Sequence, residues 1–107
     1  MIDCIFCKIN SGEIPKEFVY EDEDVAVFDD IHPIKSTHLL IVPKKHIKDF
    51  YELNDEKLEV KLNKTIKKMI KEKNLEDKGF KVFLNGGGAQ IVDHLHIHLT
   101  GPWAKGS

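Results

Sequence analysis

The sequence predicts an α+β protein: an antiparallel five-stranded sheet with one long helix and a short N-terminal helix. Three observations carry that expectation. Strand-like runs sit near both ends of the chain, and a single stretch of helical periodicity lies between the third and fourth runs. The last run alternates histidine with aliphatic residues, the period of a strand with one apolar face. The 107 residues fit one domain, expected over 1–107, with room for a single sizeable core.

In chain order, "CIFCKINSGEIP" reads as a short helix ending at Gly12, with Pro15 preventing any continuation. "EFVYEDEDVAVFDDI" reads as two strands, Phe18–Tyr20 and Val25–Phe28, around an acidic turn. Leu39–Val42 in "THLLIVPKKHI" is a buried strand ended by Pro43. Asn54 is the expected N-cap of a helix over residues 55–73, in which Leu58, Leu62, Ile66, Met69 and Ile70 recur on one face. The lysines of that helix read as a solvated face. "GFKVFL" is a fourth strand, "NGGGAQ" a glycine-rich turn, and "HLHIHL" the closing strand.

Composition narrows the function. The net charge of −2 argues against a protein that coats nucleic acid. All sixteen basic residues are lysine, so any bound phosphate must be held without the planar guanidinium fork. No apolar run approaches the roughly 20 residues that cross a bilayer. "MIDCIFCKIN" lacks the pattern of a secretory signal, so the expectation is a cytoplasmic protein with no membrane partner.

His94, His96 and His98 fall at i, i+2 and i+4 and share one face, while Leu95, Ile97 and Leu99 face the other way. A half-polar solvent face is the plainest reading, but Lys, Glu, Thr or Ser normally fill such faces. Two chemistries fit three clustered imidazoles. They can ligate a catalytic zinc with an open fourth position, or they can do nucleophilic and acid–base work at phosphorus. The preceding glycine turn favours phosphorus, because glycine N–H groups can approach and cradle an anion.

Cys4 and Cys7 are spaced C-x-x-C. They fit small buried hydrophobes, a redox pair that lacks its βαβ setting, or two ligands of a metal needing two more donors.

"HLHIH" followed by Leu99 resembles the signature of the histidine-triad (HIT) superfamily of nucleotide hydrolases and transferases. "CIFCKINSGEIP", "VYEDEDVAVFDDIHP", "THLLIVPKKHI" and "LNGGGAQ" resemble successive blocks of its Hint-like branch, in the same order, over nearly the whole chain. The resemblance implies an HIT-like fold and a hydrolase acting on a purine nucleoside 5′-phosphoramidate. In such enzymes the middle histidine, here His96, forms a covalent nucleotidyl-histidine. It further implies His98 against the phosphate oxygens and His38 as a fourth histidine beside the triad. Asp30 and Ile31 are implied at the ribose and base, with Asn85, Gly88 and Gln90 on the phosphate side. His32 matches nothing functional and reads as a turn residue.

The resemblance also implies a structural zinc on Cys4, Cys7, His46 and His94, no organic cofactor, and a homodimer. Several positions depart from the branch: Ile91 stands where a serine often helps protonate the leaving group, Asp93 and Thr100 stand on either side of the triad where apolar residues are usual, the glycine turn is shorter, and "GPWAKGS" only faintly resembles the branch's tryptophan-containing tail. Alternatives from outside the phosphoramidase reading are a dinucleoside polyphosphate hydrolase or nucleotidyl transferase, a non-catalytic nucleotide-binding module, and a three-histidine zinc hydrolase.

Overall fold

The computed structural model describes residues 3–107. The elements run α1 (Ile5–Ser11), β1 (Tyr20–Glu21), β2 (Val25–Asp29), β3 (Thr37–Pro43), α2 (Glu56–Glu72), β4 (Lys81–Phe83) and β5 (Ile97–Gly101), with a 3-10 turn at Phe50–Glu52. The five strands form one antiparallel sheet in the order β1-β2-β3-β5-β4. The expected fold class is therefore present.

The sheet separates two apolar layers. On one side, Val25, Val27, Leu39, Ile41, Leu95, Ile97 and Leu99 meet Leu58, Leu62, Ile66 and Met69 of α2. On the other, Cys4, Phe6 and Ile9 of the N-terminal segment pack on Phe28, Leu40 and Val42. Register fixes which side chains share a face, since His38 lies opposite Thr100 and Leu40 opposite His98. No helix among the described residues is long and apolar enough to cross a membrane.

Several boundaries differ from the sequence expectation. Asp55, not Asn54, caps α2: its backbone is extended and its carboxylate accepts from the Leu58 N–H at 3.1 Å. Both residues are good caps, and it is the Asp55 carboxylate that reaches a first-turn N–H. Phe18 is not in a strand; it packs beside Phe28, and pairing starts only at Tyr20. β4 is three residues long, shorter than "GFKVFL" suggested. His94 and His96 lie just ahead of β5, which begins at Ile97. Gly12 ends α1 as expected, in the left-handed region at φ 84°, which glycine adopts without steric cost. The lysine face of α2 is solvated at Lys64, Lys67 and Lys71.

Leu99 has no exposed surface and sits between sheet and helix. Leu99→Ala is expected to cost about 2–5 kcal/mol through lost burial and the cavity left behind. The urea unfolding midpoint checks it; a loss under about 1 kcal/mol would contradict this packing.

Candidate active site and metal centre

α1 brings Phe6 onto the histidine face. Its ring meets His94 edge-on at 5.9 Å and His96 at 5.1 Å between centroids, and His96 lies 5.1 Å from His98. The three imidazoles share a side as the period-two spacing required, even though only His98 lies within the strand proper.

Hydrogen-bond partners fix the protons on these rings. A backbone carbonyl only accepts, so His96 Nδ1 donates to the His94 carbonyl at 2.8 Å and leaves its Nε2 lone pair free. The Ile34 N–H donates to His38 Nδ1 at 3.2 Å, so the remaining nitrogen of neutral His38 carries a proton. That Nε2–H donates to His98 Nδ1 at 2.9 Å. Neutral His98 therefore holds its own proton on Nε2. Phe83 stacks on the His98 ring at 4.6 Å and 6°. The result is a free base at His96 beside a donor at His98.

Asp30 Oδ2 lies 3.3 Å from His38 Nε2 and 4.0 Å from His98 Nδ1. These three residues are close enough together to suggest a metal site. The tautomers argue against it, because a metal on His38 Nε2 would force the proton onto Nδ1, against the Ile34 N–H. A shared proton explains the cluster without an ion.

The free face of the triad borders a cavity of about 410 Å³. It is lined by apolar Phe6, Ile9, Phe28, Ile31 and Leu40 and by polar Asp30, Asn85, His96 and His98. Of the expected nucleotide contacts, Asp30, Ile31, Asn85, His96 and His98 thus all line its wall. His38 is buried behind His98.

Gly88 and Gln90 are not on that wall, and the turn is not an open anion cradle. The Gly88 N–H donates to Gln90 Oε1 at 2.9 Å, and the Gly87 N–H donates to Asp49 Oδ2 at 3.0 Å. Asp49, unremarked in the sequence, is buried and also caps the turn at Phe50–Glu52. These bonds hold its carboxyl below the usual carboxylate range, the Gly87 N–H contributing most.

Phe6, Ile9, Phe28 and Leu40 carried no site signal in the sequence, yet they line the cavity. Lys16, Asp29 and His32 also border the cavity, although the sequence gave His32 no more than a turn. Ile91, 98% exposed, stands at the cavity mouth and offers no hydroxyl.

A second cluster lies behind the triad. Cys4, Cys7, His46 and His94 place four ligating atoms within 4.8 Å of one another. His46 Nδ1 and His94 Nδ1 are 3.2 Å apart, and the sulfur–nitrogen separations run from 3.3 to 3.5 Å. A tetrahedral ion with bonds of about 2.0–2.3 Å has edges of roughly 3.3–3.8 Å, so the four donors fit one metal. His94 Nε2 donates to the Pro43 carbonyl at 2.8 Å, which turns the Nδ1 lone pair towards the cluster.

Burial pushes the His94 imidazole down to about 4, keeping it neutral as a ligand must be. Burial also pushes the Cys7 thiol up to about 11, and Cys4 beside it adds to the shift; two thiolates here need a cation. Cys4 has a further duty as the N-cap of α1, its sulfur accepting from the Cys7 N–H.

A triad of histidines facing an apolar cavity, on a helix-backed antiparallel sheet, defines the class of protein. Comparison with known proteins places it. A family profile described as "Scavenger mRNA decapping enzyme C-term binding" matches residues 3–107. An uncharacterised HIT-like protein of Methanocaldococcus jannaschii is 44% identical over 99 residues, covering 90% of this chain and 76% of that protein. An adenosine 5′-monophosphoramidase of Candida albicans is 40% identical, covering 90% of this chain and 68% of that protein. A 14 kDa zinc-binding protein of Zea mays is 42% identical, covering 91% and 80%. Among solved structures, an HIT family hydrolase from Legionella pneumophila superposes with a TM-score of 0.88 at 40% identity, covering 95% of each chain. The chain belongs to the histidine-triad (HIT) family.

Burial pushes His98 down from 6.5 to about 4, with His96 and His38 adding to the shift and Asp30 opposing it. The unfolded chain protonates this residue near 6.5, so between that pH and 4 the unfolded state binds more protons. Stability therefore falls as pH drops through this window. Melting temperatures measured across it should fall less steeply in His98→Gln; an unchanged slope would show that His98 does not titrate as its setting requires.

Proposed function

We propose that this chain is a nucleotide-binding hydrolase that opens a bond at the 5′-phosphorus of a purine nucleotide, foremost the P–N bond of a nucleoside phosphoramidate. The intermediate is a covalent nucleotidyl-His96. The observation that carries the reading is the state of His96: Nδ1 is committed to the His94 carbonyl, and the other nitrogen is free in a ring that borders the cavity.

In the first step the Nε2 lone pair bonds to phosphorus and the bond to the leaving amine breaks. The departing nitrogen takes its proton from water at the cavity mouth, in place of the hydroxyl that Ile91 lacks, while neutral His98 keeps its only N–H on the phosphate oxygens. The hydroxide so formed then attacks phosphorus, the P–Nε2 bond breaks, and the nucleoside monophosphate leaves. The phosphate oxygens are met by His98 and Asn85, neutral donors in a chain without arginine.

Asp30 accepts from the ribose hydroxyls through lone pairs not used by the His32 N–H, and Ile31 flanks the base. His38 is a positioning residue that sets the His98 tautomer. Gly88 and Gln90 act at one remove, by shaping the turn that carries Asn85. The name of the Candida relative supports the P–N assignment.

Zinc is the metal assigned to Cys4, Cys7, His46 and His94. The Cys₂His₂ donor set fits it, and the maize relative is named for zinc binding. With all four positions filled by protein, the ion supplies a structural staple. The 1–107 unit works as one HIT domain in the cytoplasm, with neither nucleic acid nor membrane as partner. It works as a homodimer; the exposed Val82 and Phe83 on edge strand β4, with Phe80 just ahead of it, support that assembly.

Adenosine 5′-phosphoramidate hydrolysis, followed as AMP release, tests the mechanism. His96→Ala should lose roughly a thousandfold or more in turnover, and full activity in that variant would overturn it. Metal analysis should find zinc equimolar with chain. Chelation or Cys7→Ser should lower the melting temperature by roughly 10 °C or more; no change would rule out a structural metal here.

A further inference from the structure

Lys16 has no part in the nucleotide contacts assigned above, yet it borders the same cavity. It lies in the segment that leads into β1, is half-buried, and holds its Nζ 5.7 Å from the centroid of the Phe28 ring. Among the described residues no carboxylate pairs with it. An ammonium has three donors and no acceptor. Unpaired at the wall of a cavity, it is matched by a ligand that brings an acceptor.

The sheet register shows which part of a nucleotide comes near it. Phe28 is the partner of Leu40 and Leu40 the partner of His98, so the three form one row across β2, β3 and β5. Adjacent strands are about 4.8 Å apart, which puts Phe28 roughly 10 Å from His98. Phe6 spans that interval, its ring centroid 5.1 Å from that of His96 and 5.6 Å from that of Phe28. β1 flanks β2 on the side away from β3 and β5, so Lys16, over Phe28, stands at the end of the row remote from the triad. A nucleotide with phosphorus at His96 and ribose at Asp30 carries its base towards that end. This step rests on the nucleotide reading given above.

Ile9, Phe28 and Ile31 line the cavity with apolar surface and offer a base no side-chain hydrogen bond. Two polar neighbours do not choose between purines. Asp29 follows Phe28 in β2, and strand alternation turns its side chain to the opposite face. His32 is exposed, and a neutral imidazole both donates and accepts, so it suits either base edge. Lys16 only donates. Guanine sets two acceptors, N7 and O6, side by side, whereas adenine sets an N6–H₂ donor beside N7. We propose that Lys16 is a specificity residue that reads the base, donating to O6 and N7 of a 6-oxopurine and so selecting guanine or hypoxanthine nucleotides over adenine ones. The flexible four-carbon stem carries the ammonium from the Phe28 ring to the base edge. No bond is made or broken in this contact.

Calorimetry with GMP, IMP and AMP on the intact protein tests the contact. GMP and IMP should each bind about tenfold more tightly than AMP, equivalent to about 1.4 kcal/mol. Lys16→Met keeps an unbranched stem and removes the donor. It should bring GMP and IMP down to the affinity of AMP and hold AMP where it was, whereas Lys16→Arg should retain the preference. An equal loss for all three nucleotides in Lys16→Met overturns the assignment, because such a contact does not distinguish the bases. Tight GMP with IMP no better than AMP overturns it as well, since the selective contact would then fall on the 2-amino group.

In turnover, kcat/KM for guanosine 5′-phosphoramidate should exceed that for adenosine 5′-phosphoramidate about tenfold. Lys16→Met should erase the difference, with the loss in KM, as a contact made equally in ground and transition states requires. A protein that hydrolyses both phosphoramidates with no Lys16-dependent preference overturns the base contact and keeps the hydrolase. Lys16-dependent preference for GMP and IMP without turnover of either phosphoramidate keeps the base contact and overturns the hydrolase.

Discussion

His94 is the residue on which the rest of the site depends. It has no exposed surface and uses three of its polar groups in different directions. Nδ1 faces Cys4, Cys7 and His46, Nε2–H is spent on the Pro43 carbonyl at the end of β3, and its backbone carbonyl takes the His96 proton. One side chain thus ties the N-terminal segment to the sheet, while its main chain decides which nitrogen of the next histidine is basic. Burying three polar groups is costly unless each is satisfied, and here each is.

The sheet divides labour between its faces. α2 covers one face with an aliphatic layer that carries no chemistry. The other face is only partly covered, because α1 spans seven residues and leaves room beside Phe6 and Ile9. The cavity lies there, between Phe6 and Ile9 of α1 and Phe28 and Leu40 of the sheet.

Two clusters in this protein have the composition of metal sites, and proton accounting separates them. Around His94 the Pro43 carbonyl holds the ring proton on Nε2, so the Nδ1 lone pair faces the cluster, and the sulfurs need a cation to ionise. Around His38 one proton lies between imidazole and imidazole, fixed by the Ile34 N–H on the far nitrogen. Distance alone does not distinguish the two cases. The hydrogen bond on the other ring nitrogen does.

The sequence by itself determined the α+β class, the order of elements, the shared face of the three histidines and the candidate set Cys4, Cys7, His46 and His94. Periodicity and resemblance act on local or colinear features, and these are such features. It did not determine the cap of α2, because Asn54 and Asp55 are equally able and only the folded backbone shows which side chain reaches the Leu58 N–H. Nor did it reveal that the glycine turn spends one N–H on Asp49, a residue brought there only by folding, and another on its own Gln90. Which nitrogen carries each proton, which apolar residues line a cavity rather than a core, and the placing of Lys16 over Phe28 were decided by tertiary structure alone. Each depends on partners distant in sequence, and no local pattern encodes the distance between them.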